Sequence, residues 1–197
     1  MPGVLALFLA APPSPPLFYW GARPALISVE VPAGPSRDAQ IVELHAALDN
    51  GALVLRFTLD RPVEEATHLA DGAPVSGRLR ALLYVDADDD RKTGLLAGPA
   101  DPRSGADLRL EIGVLAVGED PEEKVEASAL IGATLASLAA DGRRRTLWRS
   151  DDGQSPRAFS ARGEWLEVRL PASAAVRPGA RLILSLPDRA VDGRLGR

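Results

Sequence analysis

The residues best suited to chemistry are the aspartates that follow an apolar run at 82–85. Asp86, Asp88 and Asp90 stand at alternate positions, and Thr93-Gly94 closes the segment. On an extended backbone that spacing puts three carboxylates on one side, and in a tight loop it lets them converge. Carboxylates brought that close repel one another strongly unless a cation compensates. Oxygen donors with no His or Cys beside them select a hard ion, Ca²⁺ rather than zinc or copper. Asp107 opens the next apolar segment and can complete the shell from a neighbouring strand, with Glu111 further along the same polar face. Thr93 offers a hydroxyl or carbonyl oxygen, and Gly94 permits a sharp exit. The spacing is not that of an EF-hand, which needs Gly at the sixth position and Glu at the twelfth; Arg91 and Ala97 stand there. The competing reading is an acidic solvated turn in which Asp serves as a turn former.

A second group of candidates is aromatic. Strand parity places Trp148 and Trp165 on the polar faces of their strands, where an indole can stack on the apolar face of a pyranose. Arg109 or Glu167 would supply hydrogen bonds there. The alternatives are a Trp covering the sheet's outer face under a loop, or a plain core Trp. Trp20, beside Phe18 and Tyr19, reads as a dock for the N-terminal segment. His45 lies on the solvent side of a strand and His68 in a loop, and nothing pairs them. Asp60, Glu64 and Glu65 lack the arrangement of a glycosidase pair. No Gly-x-Ser-x-Gly elbow, P-loop or dinucleotide fingerprint occurs, so no catalytic residue is assigned and the chain is read as a non-enzyme.

The elements that must position these residues follow a period of two. Strands are predicted over 25–31, 39–48, 52–60, 78–86, 107–117, 122–131, 144–149, 157–161, 164–170 and 181–186. The Ala content of 122–131 leaves helix open, 134–140 is ambiguous, one helical turn is expected at 172–176, and a tail follows Pro187. Val42, Leu44, Ala46 and Leu48 are expected on the core face of their strand, with Glu43 and His45 opposite. Asn50-Gly51 marks a type I′ hairpin turn, because both central residues need positive φ. Leu53, Leu55, Phe57 and Leu59 then face inward, as do Leu79, Ala81, Leu83 and Val85, and Leu108, Leu110, Ile112 and Val114. About nine short strands with tight turns predict an all-β chain: an antiparallel two-sheet β-sandwich of jelly-roll or immunoglobulin-like architecture.

Composition supports one domain. The 197 residues include 18 Gly and 17 Pro, which suits short strands joined by frequent turns. The net charge of −4 and the absence of a Lys/Arg stripe weigh against nucleic acid, and Arg143-Arg144-Arg145 reads as a solvated turn. With no cysteine there are no disulfides, no thiolate metal ligands and no Cys nucleophile. Residues 1–11 resemble the apolar core of a signal peptide, though without a basic n-region, and are too short for a membrane span. The alternative is a mis-assigned start or a loose apolar tail. Residues 12–24 form a Pro-rich linker, and 25–193 a single sandwich domain.

The run Tyr84–Gly94, then Gly105-Ala106-Asp107-Leu108-Arg109-Leu110-Glu111-Ile112, resembles bacterial members of the DOMON-like superfamily, which includes the family-nine carbohydrate-binding modules. Trp165-Leu166-Glu167-Val168-Arg169-Leu170-Pro171 and the turn at 188–193 resemble that group's late strand and closing turn. The resemblance implies an exported β-sandwich with structural calcium that binds sugar or, in some branches, haem. The chain departs from it in being poor in aromatics, at 5%, and its only Met is Met1, which speaks against haem. The expected function is a secreted or periplasmic, non-catalytic module binding carbohydrate or an envelope glycan, with Asp86, Asp88, Asp90 and Asp107 as calcium ligands and Trp148 and Trp165 as the sugar platform. The alternatives are a structural or protein-interaction module without a small ligand, and a hydrolase using the acids of the same loop.

Overall fold

The computed structural model describes residues 18, 20, 27–30, 40–62, 80–98, 100–115, 130–150, 158–186 and 190–195. Among the described residues eleven strands run in chain order: β1 (Ile27–Glu30), β2 (Ile41–Asp49), β3 (Ala52–Leu59), β4 (Arg80–Asp86), β5 (Leu108–Leu115), β6 (Leu130–Leu138), β7 (Arg144–Arg149), β8 (Phe159–Arg162), β9 (Trp165–Arg169), β10 (Arg181–Ser185) and β11 (Ala190–Arg194). They form two antiparallel sheets, a five-stranded one ordered β1-β2-β3-β9-β8 and a six-stranded one ordered β11-β10-β4-β5-β6-β7. The only helical element among the described residues is a 3₁₀ turn at Ala172–Ala174. The chain is an all-β sandwich, as the period of two requires.

Alternation builds the core. Leu53, Leu55, Phe57 and Leu59 of β3 and Leu166 and Val168 of β9 meet Ala81, Leu83 and Val85 of β4, Leu108, Leu110 and Ile112 of β5, and Leu182 and Leu184 of β10. Phe57, Leu55, Leu110 and Leu166 have no exposed surface; each such side chain contributes roughly 1.5–3 kcal/mol of burial free energy. The β2–β3 hairpin turns at Asn50 (φ 50°) and Gly51 (φ 78°), the positive pair that a type I′ turn demands.

Four expectations are corrected. A bulge between Ile41 and Glu43 moves Ile41 into the core and Val42 out of the buried set. The ambiguous segment at 134–140 is largely strand: β6 starts at Leu130 and runs to Leu138, while the predicted strand over 122–129 lies outside the described residues. The predicted tail contains β11, which pairs with β10 along its whole length. A second bulge, between Leu135 and Ala136, breaks the β6–β7 register: Leu135 pairs with Trp148 and Ala136 with Thr146. Leu147 is thereby extruded, 47% exposed, and Trp148 falls to 8%. Residues 1–17 and His68 lie outside the described residues, as does the core position expected for Leu79.

The outer faces are covered unequally. On the five-stranded sheet, Phe18 and Trp20 pack over Ala47 and Val54, as expected for an N-terminal dock. On the six-stranded sheet, the excursion between β4 and β5 folds back over Tyr84 and Ile183, with Leu95 and Ala106 completing that apolar patch. Reciprocal bonds from Leu95 N–H to the Ala106 carbonyl (2.8 Å) and from Gly105 N–H to the Leu95 carbonyl (2.8 Å) hold the excursion in place.

Candidate metal centre and the outer faces

The aspartate-rich bend begins where β4 ends. Ala81, Leu83 and Val85 of β4 point into the core, so parity sends Asp86 to the outer face. The folded-back excursion then covers it, and Asp86 has no exposed surface. Gly105 closes over it at φ 93°: a Cβ there would lie 2.8 Å from the Arg91 Cα and 3.0 Å from Asp86 Oδ2. A buried carboxylate needs partners. Asp86 Oδ2 accepts from the guanidinium of Arg181 (3.3 Å), its cross-strand neighbour on β10, which also donates to the Ser104 carbonyl. Asp86 Oδ1 is buried without a donor.

Asp107 reaches the same point from the start of β5. Its N–H donates to the Val85 carbonyl (2.8 Å), and its Oδ2 accepts from Ala87 N–H (2.9 Å). The exposed Asp88 completes a triad: Asp86, Asp88 and Asp107 each bring a carboxylate oxygen within 4.8 Å of the others. Burial pushes the Asp107 carboxyl above the usual carboxylate range against the Ala87 hydrogen bond, and the charges of Asp88, Asp86 and Asp90 push the same way. Burial likewise raises Asp86, against the charge of Arg181. Burial is the larger cause at both positions, and the neighbouring carboxylates add to it.

Asp90 is not brought to the triad. Its Oδ1 accepts from Lys92 N–H (2.9 Å), and its carbonyl accepts from Thr93 N–H (3.1 Å) and from the Thr93 hydroxyl (2.8 Å). The Thr93 oxygen also lies 3.2 Å from Asp88 Oδ1, so Thr93 braces the bend. Gly94 sits at φ 56°, and a Cβ there would meet the Ala106 carbonyl oxygen at 2.3 Å. Glu111 pairs with Arg109 (2.7 Å) two residues up β5 and takes no part in the triad. Arg181 and Ser104 are the contributors the sequence reading missed. An Arg opening the otherwise apolar strand Arg181–Ser185 is the available signal, because such a charge needs a partner.

Trp148 is not available to a ligand; the bulge places it in the sandwich core. Trp165 is half-buried on the outer face of the five-stranded sheet, where the Arg56 guanidinium lies 5.0 Å from its ring centroid and 5.0 Å from that of Trp20. Beneath this stack Glu167, with no exposed surface, accepts from Arg56 Nη2 (2.7 Å) and Trp20 Nε1 (2.5 Å). Glu167 is therefore a buried anchor for the N-terminal segment rather than a group facing solvent. His45 lies beside Glu43 (2.5 Å) and against the edge of Trp20. No helix among the described residues is long and apolar enough to cross a membrane.

Compared with protein-family models, with curated proteins and with solved structures, the chain has no match.

Proposed function

We propose that the chain is an exported, non-catalytic β-sandwich module in which a calcium ion, held by Asp86, Asp88 and Asp107, locks the 86–94 bend to the start of β5, and whose outer surface binds carbohydrate or an envelope glycan. The single observation that supports the ion is the buried Asp86 Oδ1: it has no donor, and its carboxylate belongs to a triad of oxygens within 4.8 Å. The donor set fits the ion, since carboxylate oxygens suit a hard divalent cation and Asp88 leaves the site reachable from solvent. Bound there, the ion would offset the mutual repulsion of the acids and fix the loop. Its role in this reading is structural: it ties the bend to the start of β5, where Asp107 is held by Val85 and Ala87.

The glycan half of the proposal draws on Trp165 and on the polar outer face of the six-stranded sheet; the burial of Trp148 removes the paired-Trp platform. A melting curve with calcium, with magnesium and with chelator tests the metal, and Asp88→Asn is expected to abolish the calcium-dependent shift. Calorimetry against glucans, xylans and peptidoglycan fragments tests the ligand, with Trp165→Ala expected to weaken binding. Flat titrations across the whole panel discard the carbohydrate half and leave a calcium-braced structural module.

A further inference from the structure

Five of the six residues lining a groove on the outer face of the six-stranded sheet are polar, and the β-register explains why. Arg109, Ala136 and Thr146 sit side by side on β5, β6 and β7; Glu111 and Thr134 form the row above, and Arg144 pairs with Leu138 in the row below. These residues line the groove, which is shallow and open to solvent. Ala136 makes the depression: the smallest side chain of the six lies between an Arg and a Thr and forms a flat apolar floor. Arg109 is half-buried and tied to Glu111. Arg144 is exposed and has no acidic partner among the described residues. Asp107 lies two positions before Arg109 on β5, so the backbone bonds that pin Asp107 to Val85 and to Leu138 also fix this end of the groove.

We propose that this groove binds a saccharide carrying a carboxylate, of the uronic-acid class. The proposal rests on the glycan-binding reading above and narrows it to one surface and one ligand chemistry. The two guanidinium groups supply the positive end, and Arg144 is free to take a carboxylate in the forked geometry that Arg favours. The Thr134 and Thr146 hydroxyls can each donate to and accept from ring hydroxyls. Glu111 accepts from a sugar hydroxyl but repels a dense polyanion, which turns the site away from nucleic acid or polyphosphate. The Ala136 floor, with no side chain beyond Cβ, receives the carbon face of the ring.

The test is calorimetry and amide-shift mapping on the full chain at low ionic strength, with trigalacturonate as probe and neutral cellotriose as control. Trigalacturonate is expected to bind and to shift the Arg109, Ala136 and Thr146 amides, and its affinity to fall with added salt. Arg144→Ala is expected to weaken it about tenfold, the loss of one charge-assisted contact, and Ala136→Leu, which fills the floor, to abolish it; both variants should melt with the parent. Trigalacturonate binding that is indifferent to both variants overturns the groove. Cellotriose binding that needs Trp165 but not Arg144 or Ala136, with no response to trigalacturonate, overturns the groove and leaves the general glycan reading standing. Absence of binding to either sugar overturns the groove, and the general glycan reading then rests on the xylan and peptidoglycan titrations.

Discussion

Asp107→Asn separates a metal centre from a bare acidic turn. The substitution keeps an oxygen that accepts the Ala87 N–H, now at 2.9 Å from Oδ2, and removes one charge from the triad. Two unit charges 4.8 Å apart, the limit of separation in the triad, repel by about 3.5 kcal/mol at an effective dielectric of about 20 and by about 0.9 kcal/mol in bulk water. Asp86 is fully buried and Asp88 exposed, so the first pair lies nearer the upper figure and the second nearer the lower. After the unfolded chain's own repulsion is allowed for, relief of about 1–3 kcal/mol is expected without metal. At about 2–4 °C per kcal/mol for a domain of this size, the metal-free variant should melt about 2–12 °C above the parent. Calcium at a hundred times its dissociation constant stabilises the parent by about 2.7 kcal/mol, a rise of about 5–10 °C, and the variant much less. The two curves should therefore cross as calcium is added in a differential scanning experiment. A parent indifferent to calcium, together with a variant less stable than the parent in chelator, would refute the reasoning.

Further outcomes follow from the same structure. In chelator, stability should increase as pH is lowered from 7 towards 5: Asp86 and Asp107 are raised above the ordinary carboxylate range, so the folded chain takes up protons before the unfolded one, and urea midpoints across pH will show it. Saturating calcium should flatten that slope. Trp148→Ala is expected to cost about 3–5 kcal/mol by urea denaturation, whereas Leu147→Ser beside it, 47% exposed, should stay within about 0.5 kcal/mol; equal effects would contradict the bulge. Gly94→Ala should cost at least about 1 kcal/mol of stability by urea denaturation, because the new methyl meets the Ala106 carbonyl and the left-handed backbone penalises Cβ.

What was legible in the sequence was local. The β2–β3 hairpin could be read because Asn50-Gly51 dictates its own turn, and the inward faces of β3, β4 and β5 because unbroken alternation fixes them. Asp86 and Asp107 could be linked because a short excursion separates two adjacent antiparallel strands. Bulges defeated part of the rest: the one at Val42 brings Ile41 before it into the core, the one at Leu147 turns Trp148 after it inward, and nothing in Thr146-Leu147-Trp148 announces it. Arg181 was missed because its partnership with Asp86 spans 95 positions, a distance at which only the sheet order β10-β4 brings them together. The strand Ala190–Arg194 was missed because its residues show no alternation and owe their extension to pairing with β10.

The bulge in β7 matters for solubility as well as for parity. Among the described residues β7 ends the six-stranded sheet opposite β11, and an end strand presents backbone groups that can template another chain. Here it carries Arg144, Arg145 and Arg149, all exposed, and the extruded Leu147 breaks its ribbon. A second molecule approaching side by side meets like charge and an uneven hydrogen-bonding row. The irregularity that buries Trp148 thus also guards this edge of the sheet against fibre growth.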